Sequence, residues 1–176
     1  CGCRVGLRPA FATVSFIHAV ACAHSRIAMD LVLWRHADAE SGIPDAERRL
    51  TPEGRRQAEH IAGWLRPRLR QDCIVLVSPA RRAQETARAL ADSFSVRAEV
   101  GTTATPQSVL EVAGWPDREG SVVVVGHQPT LGQAAALALC GKIFDLDIEK
   151  GALWWLVGNP GAPKPRLRLV IAPDML

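Results

Sequence analysis

The sequence predicts an α/β domain, a three-layer sandwich whose mostly parallel central sheet is flanked by helices. Three observations carry this expectation. Unbroken apolar runs at 30–34, 74–77 and 121–125 have the length and Val/Leu content of strands buried on both faces. Segments with helical spacing alternate with those runs, the pattern of a parallel sheet with covering helices. At 176 residues and 48% hydrophobic content, the chain has enough material for one such domain and too little for two.

Asp30–Trp34 is the first strand, and a polar loop follows from Arg35 to Leu50. Thr51-Pro52-Glu53 opens a helix, because Thr51 can cap it and Pro52 suits its first position. Ala58, Ile61, Ala62 and Leu65 form its buried face, and Pro67 ends or kinks it. Ile74–Val77 is the second strand. Ser78-Pro79 repeats the cap-and-proline start for a helix with Ala83, Ala87, Leu90 and Ala91 inward. A weaker strand is expected at Val96–Val100, before a loop rich in Thr, Pro and Gly.

Four consecutive valines make Ser121–Val125 the clearest strand. Gly126-His127-Gln128-Pro129 is its turn, and Thr130–Cys140 is an apolar helix stopped by Gly141. Ala152–Val157 and Leu167–Ile171 read as an antiparallel pair at the sheet edge. Within the first of these, Trp154 and Trp155 should face opposite sides of the sheet.

The net charge of +3 is misleading about surface chemistry. Three arginines and no acid lie in residues 1–29, which leaves a body with 18 basic and 18 acidic side chains. No basic patch interleaved with aromatics suggests a nucleic-acid partner. Cys73 and Cys140 open a strand and close a helix, places expected of buried free thiols. No Cys/His cluster has metal-site spacing, so neither a metal nor any other cofactor is expected.

Residues 1–28 are expected to be an N-terminal extension, non-native or disordered, ahead of a domain at 29–176 that starts at Met29. A signal peptide is the alternative, with Arg4, Arg8, the apolar stretch Phe11–Val20 and small residues Ala21-Cys22-Ala23. His18 interrupts that stretch, and the body shows no disulfide pattern. The stretch is too short to span a membrane, and the expected location is the cytoplasm.

The chemistry collects at three strand ends. The first strand runs into Arg35-His36, the second into Ser78 with Arg81 and Arg82 one turn later, and the third into Gly126-His127. Ligands of open α/β sheets bind beyond such carboxyl ends. Two histidines and at least two arginines there make a positive cradle for a dianionic phosphoryl group. His18, His24 and His60 lack this placement.

Four segments, in order, resemble the landmarks of the histidine phosphatase superfamily. They are LVLWRHADAE, LTPEGRRQAE, SPARRAQETA and VVVVGHQPTL, and they span about residues 30–171. Ala37 stands where the family's Arg-His-Gly signature has glycine. The compact body and Arg-His-Ala-Asp start look most like the SixA-type phosphohistidine phosphatases. The resemblance implies that His36 is the catalytic nucleophile that becomes phosphorylated. Arg35, Arg82 and His127 would be catalytic and phosphate-binding, with Arg81 turned to solvent or an acidic neighbour.

Larger family members carry a Glu general acid after the third strand, where this chain has only a short segment between Glu99 and Glu111. Phytase-like members have Asp where Gln128 stands. Asp38 is the remaining candidate proton donor, with a solvated loop carboxylate as its alternative role. A missing acid, worth ~10²–10⁴-fold for an alkoxide, favours an imidazole leaving group. The expected function is therefore metal-independent removal of phosphate from a phosphohistidine-bearing protein, such as a phosphotransfer domain or phosphorelay carrier. The rivals are a phosphomonoesterase for a small metabolite and a non-catalytic phosphate-binding protein.

Overall fold

The computed structural model describes residues 28–159 and 164–176. The expectations for the N-terminal extension fall outside them, except that Ala28 packs half-buried against the core. Ten regular elements follow: β1 (Met29–Arg35), α1 (Pro52–Leu65), β2 (Ile74–Val77), α2 (Arg81–Arg88), β3 (Ser95–Val96), α3 (Pro106–Ala113), β4 (Gly120–Gly126), α4 (Thr130–Cys140), β5 (Leu153–Gly158) and β6 (Arg166–Ile171).

The strands form one sheet in the order β3-β2-β4-β1-β5-β6. The pairs β2/β3, β2/β4 and β1/β4 are parallel, and β1/β5 and β5/β6 are antiparallel. Strand alternation sends Val32, Trp34, Val123 and Val125 to one face, where they meet Ile61, Leu65, Ala83 and Ala87 of α1 and α2. Leu31, Leu33, Val122 and Val124 point the other way, onto Val109, Leu110, Leu131 and Ala135 of α3 and α4. Both faces are therefore buried, as the continuous apolar runs require. Trp155 joins the first cluster and Trp154 packs against the second.

Local chemistry sets most boundaries. Thr51 Oγ1 accepts from Gly54 N at 2.9 Å, and α1 gives way at Leu65 to a 3-10 turn containing Pro67. Thr105 and Ser108 form a reciprocal capping box for α3. Gly141 ends α4 in the left-handed conformation, φ 67°.

Three local expectations are corrected. The helix after β2 begins at Arg81, because Ala80 is extended at ψ 135° and Ser78 Oγ, shared between Ala80 N at 3.2 Å and His127 Nε2 at 2.6 Å, closes only the turn before it. The strand expected at Val96–Val100 is only Ser95–Val96, followed by a 3-10 turn at Ala98–Val100 that drops Val100 into the core. Cys140 is exposed rather than buried, since the last turn of α4 projects beyond the sheet's cover, and Cys73 is half-buried. Among the described residues no helix is long and apolar enough to cross a membrane.

Candidate active site

Because β1, β2 and β4 are neighbours and parallel, their carboxyl ends converge. Backbone bonds fix the convergence: Gly126 O accepts from His36 N at 3.1 Å, and Val125 O accepts from Ser78 N at 3.0 Å. His36, Arg82 and His127 meet there, all buried, with the two imidazole centroids 5.1 Å apart.

Hydrogen bonding defines both ring tautomers. His36 Nδ1 lies 2.8 Å from the Ala37 carbonyl, which can only accept, so Nδ1 carries the proton. Its Nε2 lone pair then accepts from Arg82 Nε at 3.2 Å. For His127, Nδ1 lies 3.5 Å from Arg82 Nη2, a group that only donates. The His127 proton is therefore on Nε2, which donates to Ser78 Oγ at 2.6 Å. Burial, opposed for His36 by its bond to Ala37, lowers its pKa to about 4, with the charges of Arg82, Arg35 and Arg48 adding to the fall. Burial, then His36 and Arg82, lowers His127 to about 3. Both rings are neutral near pH 7.

Arg35 borders the same site from the last position of β1. Its Nη1 donates to Ile148 O at 2.6 Å, and Asp147 Oδ1 lies 3.6 Å away. Its Nε is buried and has no partner among the described residues. Arg81 points out and pairs with Glu85 at 2.8 Å.

Asp38 does not suit a proton donor. Its Oδ1 accepts from Lys150 Nζ at 2.7 Å and its Oδ2 from Thr51 Oγ1 at 2.9 Å. The Lys150 hydrogen bond is the main cause holding this carboxyl below its usual range. Glu99 and Glu111 are exposed, as is His60. Among the described residues no group of three or more His, Cys, Asp or Glu is placed to hold a metal ion.

Four residues make contacts in or beside the site that the sequence did not assign to them. Ser78 reads locally as a helix cap but orients His127. Thr86 Oγ1, fully buried, accepts from Ala37 N at 3.1 Å and donates to Arg82 O at 2.7 Å, tying the loop after His36 to α2. Gln128 donates to Leu146 O at 2.7 Å and accepts from Gly132 N at 2.8 Å, holding the 141–151 loop beside Arg35. Asp45 reaches Arg82 from the opposite rim. The signal for Ser78 was its strand-end position; the others depend on contacts across 18 to 49 residues.

Two glycines let the loops lie this close. A Cβ on Gly54 would come within 1.9 Å of Asp38 O, and one on Gly132 within 1.7 Å of Leu146 O. Only glycine permits these backbone approaches.

The site thus brings together two neutral, buried imidazoles and the guanidinium of Arg82, with Arg35 at its border. Residues 31–104 match the family described as histidine phosphatase superfamily, branch 1. The SixA phosphohistidine phosphatase homolog of Haemophilus influenzae is 33% identical over 130 residues, covering 65% of this chain and 79% of that protein. A structure assigned to SixA phosphohistidine phosphatase from Nakamurella multipartitia is 31% identical, with TM-score 0.67, covering 83% of this chain and 96% of that one. The structure of the protein histidine phosphatase SixA complexed with tungstate shares the fold, with TM-score 0.70 at 24% identity and coverage of 84% and 99%. An uncharacterized Mycobacterium leprae protein is 39% identical over 102 residues, 57% of this chain, and the match spans only 63% of that relative's length. The chain belongs to the histidine phosphatase superfamily.

Proposed function

We propose that this protein is a phosphatase that works through a phosphohistidine at His36 and takes its phosphoryl group from histidine on another protein. The single observation that carries the chemistry is the neutral, Nδ1-protonated His36, whose Nε2 lone pair faces Arg82 inside the buried cradle. Such a nitrogen attacks phosphorus without a general base, and water then hydrolyses the phosphoenzyme. Arg82, Arg35 and the His127 ring hold the equatorial oxygens through a loose transition state. That cradle supplies positive charge without calling on a metal.

Two findings support a protein phosphohistidine as substrate: the 33% identity to a SixA homolog and the 31% identity to a structure assigned to that group. The partner is then a phosphotransfer domain or phosphorelay carrier. A cytoplasmic place of action belongs to the same proposal. The domain that does this work is residues 29–176.

A small phosphomonoester is the second reading, and one observation favours it. Asp45 places a carboxylate against Arg82, so an acid for an alkoxide leaving group is within reach after all. Side-by-side kcat/KM values on a phosphohistidine protein and a panel of phosphate esters test the choice. We expect the phosphohistidine to be faster, because a protonated imidazole departs more readily than an alkoxide. Faster ester turnover selects the second reading. Phosphate binding with no turnover of either identifies a non-catalytic binding protein.

A further inference from the structure

Asp45 stands on an exposed 3-10 turn, Asp45–Glu47, yet reaches the buried end of Arg82. Its main-chain oxygen accepts from Arg82 Nη1 at 2.7 Å and its Oδ2 from Nη2 at 3.0 Å. Its Oδ1 accepts from Arg48 Nη1 at 2.8 Å. Arg48 in turn donates through Nε to Glu40 O at 2.5 Å, which braces the turn. The Arg82 side chain is 6% exposed and that of Asp45 is 57% exposed, so the carboxylate occupies the mouth side of the guanidinium.

Three of the four terminal N–H bonds of Arg82, one on Nη1 and both on Nη2, therefore have acceptors before any ligand arrives. A phosphoryl group bonding to His36 Nε2 needs those donors for its own oxygens, and the Asp45 carboxylate must yield them. In-line displacement puts the leaving atom opposite His36, and a carboxylate released from Arg82 at the exposed rim would be the acid nearest to it. At rest Arg48 first, and then Arg82, hold this carboxyl below its usual range; next to a phosphoryl dianion and with only Arg48 still bound, it takes up a proton more readily. The other carboxylates near the cradle are less suited. Asp38 is tied to Thr51 and Lys150, and Asp147 is 82% exposed at 3.6 Å from Arg35.

We propose that Asp45 yields Arg82 to the phosphoryl group and then donates the proton to the leaving atom. The inference rests on the phosphatase reading above. On displacement the carboxylate takes a proton from solvent. As the His36 Nε2–P bond forms and the bond from phosphorus to the leaving atom breaks, that proton passes to the leaving oxygen or nitrogen. In the second half-reaction water attacks phosphorus, the N–P bond breaks, and the water proton returns to Asp45. Neutral His36 and inorganic phosphate result.

The test is leaving-group dependence in Asp45→Asn. A nitrophenolate departs without a proton and a phenolate departs poorly without one. Asp45→Asn should lower kcat/KM for phenyl phosphate by ~10²–10⁴-fold but for p-nitrophenyl phosphate by less than about threefold. Inhibition by inorganic phosphate should stay at least as tight as in wild type, because a competitor for Arg82 is gone and the cradle is intact. Equal losses on both esters, no loss on either, or weakened phosphate inhibition would overturn the proposal. So would wild-type turnover of phosphohistidine with none of any aryl phosphate, since a positioned donor serves oxygen leaving groups too. A wild-type protein that turns over neither class removes the phosphatase reading itself.

Discussion

Arg82 Nε lies 3.2 Å from His36 Nε2, the ring nitrogen that the Ala37 carbonyl leaves without a proton. A guanidinium cannot give up its proton here, so the contact holds the imidazole neutral and its lone pair pointed into the cradle. When a phosphoryl group arrives, the same cation can turn its donors to the phosphoryl oxygens. In the proposed mechanism one side chain thus guards the nucleophile at rest and neutralises charge during transfer.

Arg82→Lys should therefore fail where Arg81→Ala is tolerated. Lysine keeps the charge but cannot span His36, His127 and Asp45 from one planar group. We expect a loss of roughly 10²–10³ in kcat for Arg82→Lys, the scale of losing one preorganised donor. Arg81→Ala removes a half-buried i,i+4 pair with Glu85, outside the cradle, and should change stability by no more than ~1 kcal/mol, with kcat unchanged. Steady-state kinetics on both variants decide it, and the reverse ranking would reassign the cradle arginine.

The pH dependence follows from the two buried imidazoles. His36 and His127 have folded pKa values of about 4 and about 3, below the ordinary 6.5. Between those limits the unfolded chain binds more protons than the folded one. The stability they contribute is thus complete above 6.5 and is lost as pH falls through 4 towards 3. Denaturant midpoints should decline steadily below pH 6.5, and His36→Ala should flatten part of that decline. Because His36 stays neutral down to about pH 4, kcat/KM should show no acidic limb near 6.5 on its account.

Ser78→Ala tests the second imidazole. The substitution leaves the buried His127 Nε2–H without its acceptor, at a cost of about 1–3 kcal/mol. It also frees the ring to adopt the other tautomer and point a proton at Arg82. Lower thermal stability with a reduced kcat is expected, and Ser78→Thr, which keeps the oxygen, should recover part of both. A Ser78→Ala protein with wild-type kinetics would contradict the orienting role.

What was legible in the chain follows from the range of the interactions involved. Strands β1, β2 and β4 announce themselves by unbroken apolar runs, because both faces of the sheet are covered. The polar residues that stop those runs are therefore conspicuous, and they include His36 and His127. Ser78 misled for a local reason: Ser-Pro is a good helix start, but its hydroxyl serves Ala80 N in the turn and a buried His127, 49 residues away, rather than the first turn of α2. Asp45 carried no signal at all, since an exposed turn acid looks the same whether or not its loop folds onto an arginine 37 residues on.

Gly132→Ala should act on the site through the loop it touches. A Cβ there would meet Leu146 O at 1.7 Å and push away the segment whose Ile148 carbonyl anchors Arg35. A destabilisation of about 1–3 kcal/mol is expected, as for other overpacked sites. KM should rise along with it. Gly63→Ala, whose Cβ meets nothing within 4 Å on α1, should instead stabilise by up to ~1 kcal/mol. Denaturant titration of both variants tests the contrast.

The central claim is that phosphorus is carried on His36. Wild-type protein mixed with a radiolabelled phosphohistidine protein, quenched in alkali within the first turnover and digested, locates the label directly. An acid-labile, alkali-stable phosphate on the peptide containing His36, absent in His36→Ala along with turnover, is the result expected. Label on the His127 peptide, or undiminished turnover in His36→Ala, would contradict it.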